Sequence, residues 1–256
     1  MNSIYYQIKS RLRAGAIHFL ISVSVAVVAG LAVFGLWYPY PYWEISGGRE
    51  LFMILIAVDL IIGPLLTILI FDRTKIKREL IADISIIGVL QFAALTYGVW
   101  SVFVARPVHL VFEYSKFTVV HAVDITPEFL AMATPELRHL PLTGPTPIGL
   151  RSFKNAQEQL DSTLAALNGL PLAARSDLWQ SYAASAPSVL LASRSLEELF
   201  ARFPEASDQI ATAVSDTRRT SSGLRYVPMV GREQAWTVLV DAVSAQPLAY
   251  MRLDSF

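Results

Sequence analysis

The chain has 256 residues, 54% of them hydrophobic and 16% charged, with a formal net charge of zero. A soluble domain of this size carries about 25% charged residues, so the composition points to a membrane protein. Residues 1–106 carry a small basic excess and residues 107–256 a small acidic one, neither large enough to suggest nucleic acid, and the lack of cysteine excludes disulfides, thiolate nucleophiles and Cys-ligated metals.

The hydrophobic excess is concentrated in residues 17–105, and the remaining residues have the composition of one globular domain with its own core. Three apolar stretches are long enough to cross a hydrocarbon core as helices, which takes about 20 residues: 17–37, 51–70 and 82–104. A cleaved signal peptide would also place basic residues before an apolar run, but the first run is long and no clear A-x-A site follows it. Lys9, Arg11 and Arg13 precede the first span, and Arg73, Lys75, Lys77 and Arg78 lie between the second and third, whereas the loop "YPYPYWEISGGRE" carries Arg49 alone. Basic loops favour the cytoplasm, so the expected topology is a cytoplasmic N-terminus and, after three spans, a C-terminal domain outside. Trp37, Tyr38, Tyr40, Tyr42, Trp43 and Trp100 fit an aromatic belt at the outer interface. Ser22, Ala26 and Gly30 in the first span, and Ala94 and Gly98 in the third, are small residues at four-residue steps that allow close helix approach.

The second span holds an acid, Asp59, and a helix breaker, Pro64. Its fourteen Leu, Ile, Val or Phe residues each favour insertion by about 0.3–0.6 kcal/mol, which outweighs the roughly 2.5–3.5 kcal/mol cost of one central Asp. Asp59 is expected to face the bundle, and Gln91 lies at comparable depth on the antiparallel third span, where a hydrogen bond is expected. Pro64 deprives the Leu60 carbonyl of its amide donor and Gly63 weakens the same turn, which predicts a kink. The seam reads either as a contact for a partner helix or a proton, or as a clasp that locks three helices together. Asp83 opens the third span beside the basic loop and is expected to pair with Lys77 or Arg78.

After Arg106-Pro107 the pattern alternates as in strands: "VHLVFE" (108–113), a "YSK" turn and "FTVVHAVD" (117–124) predict a hairpin, and "RYVPMV", "AWTVLVDA" and "PLAYMRL" predict three strands near the end. Between them, residues 152–169 predict a helix with Phe153, Leu160, Leu164 and Leu167 on one stripe and Gly169 after its end, and Ser195 and Glu198 have capping-box spacing. "HLPLTGPTPIG" and "SDTRRTSSG" read as loops. The expected architecture is a three-helix transmembrane region, 1–106, followed by an α+β domain, 107–256, whose antiparallel sheet joins its first and last strands. No nucleophile-elbow, zincin or phosphate-loop motif occurs. His109 and His121 sit on the two arms of the hairpin, but two ligands fall short of a zinc site, and no cofactor is expected.

The run "EISGGRELF…VDLIIGPLLTILIF", the basic loop with Lys75 and Arg78, and "ADISIIGVLQFAALTYGVW" ending in "ARPVHLVFE" resemble the type IV pilin accessory proteins of the TfpX/TfpZ type from Gram-negative bacteria. The resemblance is strong over residues 43–124, and "AWTVLVDAVSAQPLA" fits the closing strands, though "VSAQP" stands where the family often has a Gly. The residues carried by the resemblance are Ser46, Gly47, Gly48, Asp59, Gly63, Pro64, Asp83, Gln91, Tyr97, Gly98, Arg106 and Pro107. It implies a non-enzymatic inner-membrane factor, with a periplasmic domain, that assists assembly or display of a particular major pilin and has assembly-platform proteins as further partners. Two other classes compete. An intramembrane protease or carrier using Asp59 needs a second acid or a Ser/His pair at membrane depth, and His18 lies near the inner face; a membrane-anchored sensor needs a cytoplasmic output domain, and the inner segments are short.

Overall fold

The computed structural model describes residues 2–72, 74–232 and 234–256, with side chains from Tyr5 onward. The chain divides into two compact units, Met1–Leu36 with Gly48–Val104, and Trp37–Gly47 with Ala105–Phe256. The sequence-based division at 106/107 therefore differs from this packing at the first loop, because Trp37–Gly47 packs with the second unit.

The first unit is helical. Helix α1 (Asn2–Ala32) passes into a π turn at Val33–Trp37, and a short α2 (Tyr42–Ile45) precedes α3 (Gly48–Ile70) and α4 (Lys77–Val104). Three helices, Tyr5–Trp37, Gly48–Ile70 and Lys77–Val104, are long and apolar enough to cross a membrane. Their burial pattern is the reverse of a water-soluble bundle: Leu20, Val28, Leu31, Met53, Ile54 and Leu69 face outward, while Ser10, Gly15, Ser22 and Ala26 face inward. Exposed apolar side chains at this density are suited to lipid, where helices gain by close packing of small residues rather than by hiding large ones from water. Both α1 and α4 pack on α3 and scarcely touch each other. α3 runs through Pro64 as one continuous helix.

In the second unit, β1 (Pro107–Glu113) and β2 (Lys116–His121) form the expected hairpin, and residues 122–124, read from the sequence as strand, form a single 3-10 turn. Tyr114 turns the chain at φ +59°, held by a hydrogen bond from its hydroxyl to the Arg151 carbonyl at 3.0 Å. Then follow α5 (Pro127–Met132), β3 (Thr146–Leu150), α6 (Ala156–Leu167), β4 (Trp179–Ser181), α7 (Tyr182–Ala192), β5 (Arg194–Ser195), α8 (Leu196–Arg202) and α9 (Ser207–Asp216). Strands β6 (Leu224–Val230), β7 (Ala235–Asp241) and β8 (Pro247–Met251) close the domain. The sheet order is β4-β3-β1-β2-β6-β7-β8, with β5 paired to β6.

The domain is α+β, and its opening hairpin joins the closing strands through β2 and β6, but the sheet is mixed rather than antiparallel: β1 pairs with β3 and β2 with β6 in parallel. The helical stretch between β2 and β6 supplies the long crossover that a parallel pair requires. β3 takes up residues 146–149 of the segment read as loop. The Ser195 hydroxyl caps α8 by accepting from the Glu198 amide at 3.3 Å. The stripe on α6 is inverted relative to the expected core contact. Leu160, Leu164 and Leu167 are exposed, and the inward side carries Glu158 and Ser162. The physical reason is two paired arginines beneath the helix: the half-buried Arg151 donates to both Glu158 oxygens at 2.9 and 2.8 Å, and the buried Arg175, paired with Asp177, reaches Ser162 Oγ at 3.2 Å. Leaving the buried Arg175 guanidinium without its partners would cost more than exposing three leucines.

The segment Trp37–Gly47 is built into this domain. Tyr42 and Ile45 belong to the core cluster of Leu110, Phe112, Phe117 and Trp236, and the Tyr42 hydroxyl donates to that of Tyr250 at 2.8 Å. The Ile45 carbonyl accepts the Arg232 amide at 2.9 Å.

Candidate functional site

Polar side chains are sparse within the apolar helices, and two hydrogen-bonded links tie α3 to its neighbours. Gln91 Nε2 of α4 donates to Asp59 Oδ1 at 2.9 Å, with a longer contact of 3.4 Å to the Asp59 carbonyl. The amide reaches α3 because of Gly63: a Cβ there would lie 1.9 Å from Gln91 Nε2. Gln91 Oε1 is buried with no hydrogen-bond partner. A buried, unpaired amide oxygen costs about 1–3 kcal/mol, so the bridge is only half satisfied.

One turn below Gly63, Thr67 donates its hydroxyl proton to the Gly63 carbonyl at 3.0 Å, and His18 Nδ1 of α1 lies 2.5 Å from the same hydroxyl. Since Thr67 has one hydroxyl proton and spends it on Gly63, His18 Nδ1 is the donor. This second link was not legible as a site. Its only sequence signal is the four-residue spacing of Gly63 and Thr67, and His18 read as a residue near the inner face.

Two clefts border the Asp59–Gln91 bridge. One, about 320 Å³, is an apolar groove along α3 and α4 lined by Leu55, Val58, Gly63, Leu90 and Ala94 as well as the bridge itself. The other, about 210 Å³, lies between α1 and α4 with Asp59 at its floor, and includes His18, Ser22, Gln91 and Phe92. Pro64 is buried in the α1–α3 contact, where its carbonyl would stand 3.3 Å from a Cβ on Gly15. Gly98 admits Leu55, whose Cδ1 would be 2.2 Å from an added Cβ. Tyr97 is not part of this cluster; it is 74% exposed.

The remaining positions carried by the resemblance fall elsewhere. Asp83 pairs with Lys75 at 2.6 Å, not with Lys77 or Arg78, because α4 begins at Lys77 and Asp83 sits in its second turn, facing back to the loop. Arg11 and Asp72 pair at 2.9 Å, joining α1 to the end of α3. Ser46 and Gly48 are buried, and Gly47 makes the turn into α3 at φ +66°, a conformation that favours glycine. Arg106 is buried, with Nε 3.4 Å from the Pro141 carbonyl, and Pro107 opens β1. Burial pushes the Tyr38 phenol up against the pull of Arg232 and Arg106. His109 and His121 do not share a site: His109 Nδ1 meets Thr146 Oγ1 at 2.9 Å, and His121 Nδ1 meets Asp124 Oδ2 at 3.2 Å. Among the described residues no group of three His, Cys, Asp or Glu is placed to hold a metal.

The family model described as fimbrial assembly protein FimB matches residues 6–47, which cover most of α1 and the segment that packs into the second unit. Two curated relatives from Dichelobacter nodosus, the fimbrial assembly proteins of serogroups E1 and I, are each 32% identical over 231 residues, covering 90% of this chain and 90% of their own length. The fimbrial assembly protein of serogroups C1 and C2 from the same organism is 36% identical over 121 residues, 47% of this chain and 92% of its own length. No solved structure matches the chain. With identity of this level sustained from the apolar helices into the mixed sheet, the chain belongs to the fimbrial assembly protein family.

Proposed function

We propose that the chain is a multi-pass inner-membrane accessory factor for type IV pilus assembly that acts by contact with a particular major pilin, and not by catalysis. The observation that carries this reading is the match to fimbrial assembly proteins over nine-tenths of both chains, in a molecule with three helices long and apolar enough to cross a membrane. The N-terminus and the 71–80 loop lie in the cytoplasm and the mixed-sheet domain in the periplasm. The basic residues near the start of α1 and between α3 and α4 support this orientation, and the Arg11–Asp72 pair puts those two stretches at the same end of the helices. The Asp59 seam, with Gly63, Pro64, Gln91 and Gly98, is the intramembrane contact. Asp59 has an amide rather than a second carboxylate as its partner, which suits recognition better than acid–base chemistry.

Deleting the gene and measuring total pilin separately from surface fibres tests the reading. Retained pilin with few fibres is the expected result for an assembly factor, and lost pilin would instead mark a chaperone. Normal display of fibres would overturn the assembly role.

A further inference from the structure

We propose that the free edge of β8 takes an extended peptide as a ninth strand, and that Glu44 and Asp216 hold a basic side chain of this peptide in the cleft at the end of β8. The partner is defined by this chemistry alone, so the proposal stands apart from the assembly reading above.

The sheet has two edges, and they are closed differently. β4 has three residues and passes at once into α7. β8 has five, Pro247–Met251, and of the devices that keep an edge from pairing it has only a proline at its first position and an arginine just beyond its last. Leu248, Ala249 and Tyr250 between them carry no charge and keep some exposure. Among the described residues no hydrogen bond other than those to β7 engages their backbone. Alternate N–H and C=O groups of such a strand point away from its neighbour and are open to a further strand.

A cleft of about 340 Å³ lies at the C-terminal end of that edge. Consecutive strand residues point to opposite faces, Tyr250 toward Tyr42 and Trp236, Met251 toward Ile210 and Ala213 of α9, yet both line the cleft. Its other walls also come from both faces: Tyr40 and Glu44 from the segment that contains Tyr42, Thr212 and Asp216 from α9. A space walled from both faces of a sheet lies around its edge, so the cleft opens where an added strand would run and receives a side chain from it.

The charge of the cleft selects that side chain. Glu44 and Asp216 are exposed, and among the described residues neither carboxylate has an ion pair or a hydrogen-bond donor. Arg252 is the one cation among the described residues of the lining, and its Nε is given to Gln234 Oε1 at 2.6 Å. Two free carboxylates against one engaged guanidinium leave the cleft negative, and the rings of Tyr40 and Tyr250 suit the alkyl stem and the charge of a lysine or arginine. Main-chain bonds along β8 hold the strand, and the acidic cleft chooses its sequence.

The test uses the full-length protein in detergent and a fluorescein-labelled peptide of five Thr-Lys repeats. Two controls accompany it: five Thr-Glu repeats, and the Thr-Lys peptide N-methylated at every residue, which keeps its charge but lacks the donors a strand needs. Fluorescence anisotropy should show saturable binding of the first peptide alone. Glu44→Gln combined with Asp216→Asn should weaken that binding about fivefold, as for two exposed ion pairs, and hydrogen exchange at Leu248, Ala249 and Tyr250 should slow when the peptide binds. Equal binding of the N-methylated peptide would reduce the contact to charge and overturn the strand. Binding that ignores the double substitution, unchanged exchange in β8, or no binding of the Thr-Lys peptide would overturn the site. Slow exchange of β8 that appears without peptide and grows with protein concentration would give the edge to a second copy of the chain and overturn the peptide.

Discussion

His109 stands with its ring 4.7 Å from that of Trp179 at 71°, and its Nδ1 bound to Thr146 Oγ1. Burial pushes its imidazole down from 6.5 to about 4, against a smaller upward pull from Thr146. A depressed pKa means that the unfolded chain binds the proton more tightly than the native one. The contribution of His109 is therefore fully present above about pH 6.5, declines as pH falls toward 4, and is lost below it. A shift of this size corresponds to about 3 kcal/mol at most. Chemical unfolding of the detergent-solubilised protein, followed by near-UV circular dichroism, should show stability falling from pH 7 to 4, and His109→Gln should flatten that slope. An unchanged slope would assign the acid sensitivity to other groups. The strand pattern made the position of His109 legible, since alternation around residue 109 marks a strand. What could not be read was that Thr146, thirty-seven residues on, would take its ring nitrogen through the parallel β1–β3 pair.

Among the elements, the contact between α3 and α4 depends on the absence of a side chain at Gly63. Gly63→Leu would force Gln91 from its bond to Asp59 and separate the helices, an overpacking cost of about 1–3 kcal/mol. Gly88→Ala is the control, because a Cβ there meets nothing within 4 Å and alanine favours helix by about 0.5–1 kcal/mol. The expected measurement is a lower thermal midpoint in detergent for Gly63→Leu and an equal or higher one for Gly88→Ala; equal midpoints for the two would show that the close approach is not needed. The depth match of Asp59 with Gln91 was legible because antiparallel helices of known length place residues at calculable heights. The side on which α6 turns its leucines was not. Periodicity defines a stripe but carries no information on whether a paired arginine, here Arg151 or Arg175, already occupies the ground beneath it.

For the molecule as a whole, the segment Trp37–Gly47 leaves the helices, enters the core of the sheet domain and returns to α3. The sheet domain is therefore not contiguous in sequence. A fragment 105–256 would lack Tyr42 and Ile45 and leave a hole beside Phe112, Phe117 and Trp236. Truncating one buried aromatic costs about 3–5 kcal/mol, a large share of the stability of one domain. The excised fragment is expected to bind a hydrophobic dye and to lack a sharp near-UV spectrum, and fusion of residues 37–47 through a flexible linker should restore both. A cooperative, dye-free fragment without that segment would show that the sheet closes on its own.

The apolar spans, their order and most strands followed from the sequence by itself, because a run of twenty apolar residues or an alternation of two is a local property that any environment must honour. Only the tertiary structure decided that Tyr42, in an interfacial-looking aromatic loop, is core, that β2 and β6 run parallel, and that α6 is polar inward. Each of these depends on which distant groups reach a surface first: Tyr250 for Tyr42, Arg151 and Arg175 for α6, and the helical crossover for β6. The energy of such pairings lies in contacts between segments, and no window along the chain contains both partners.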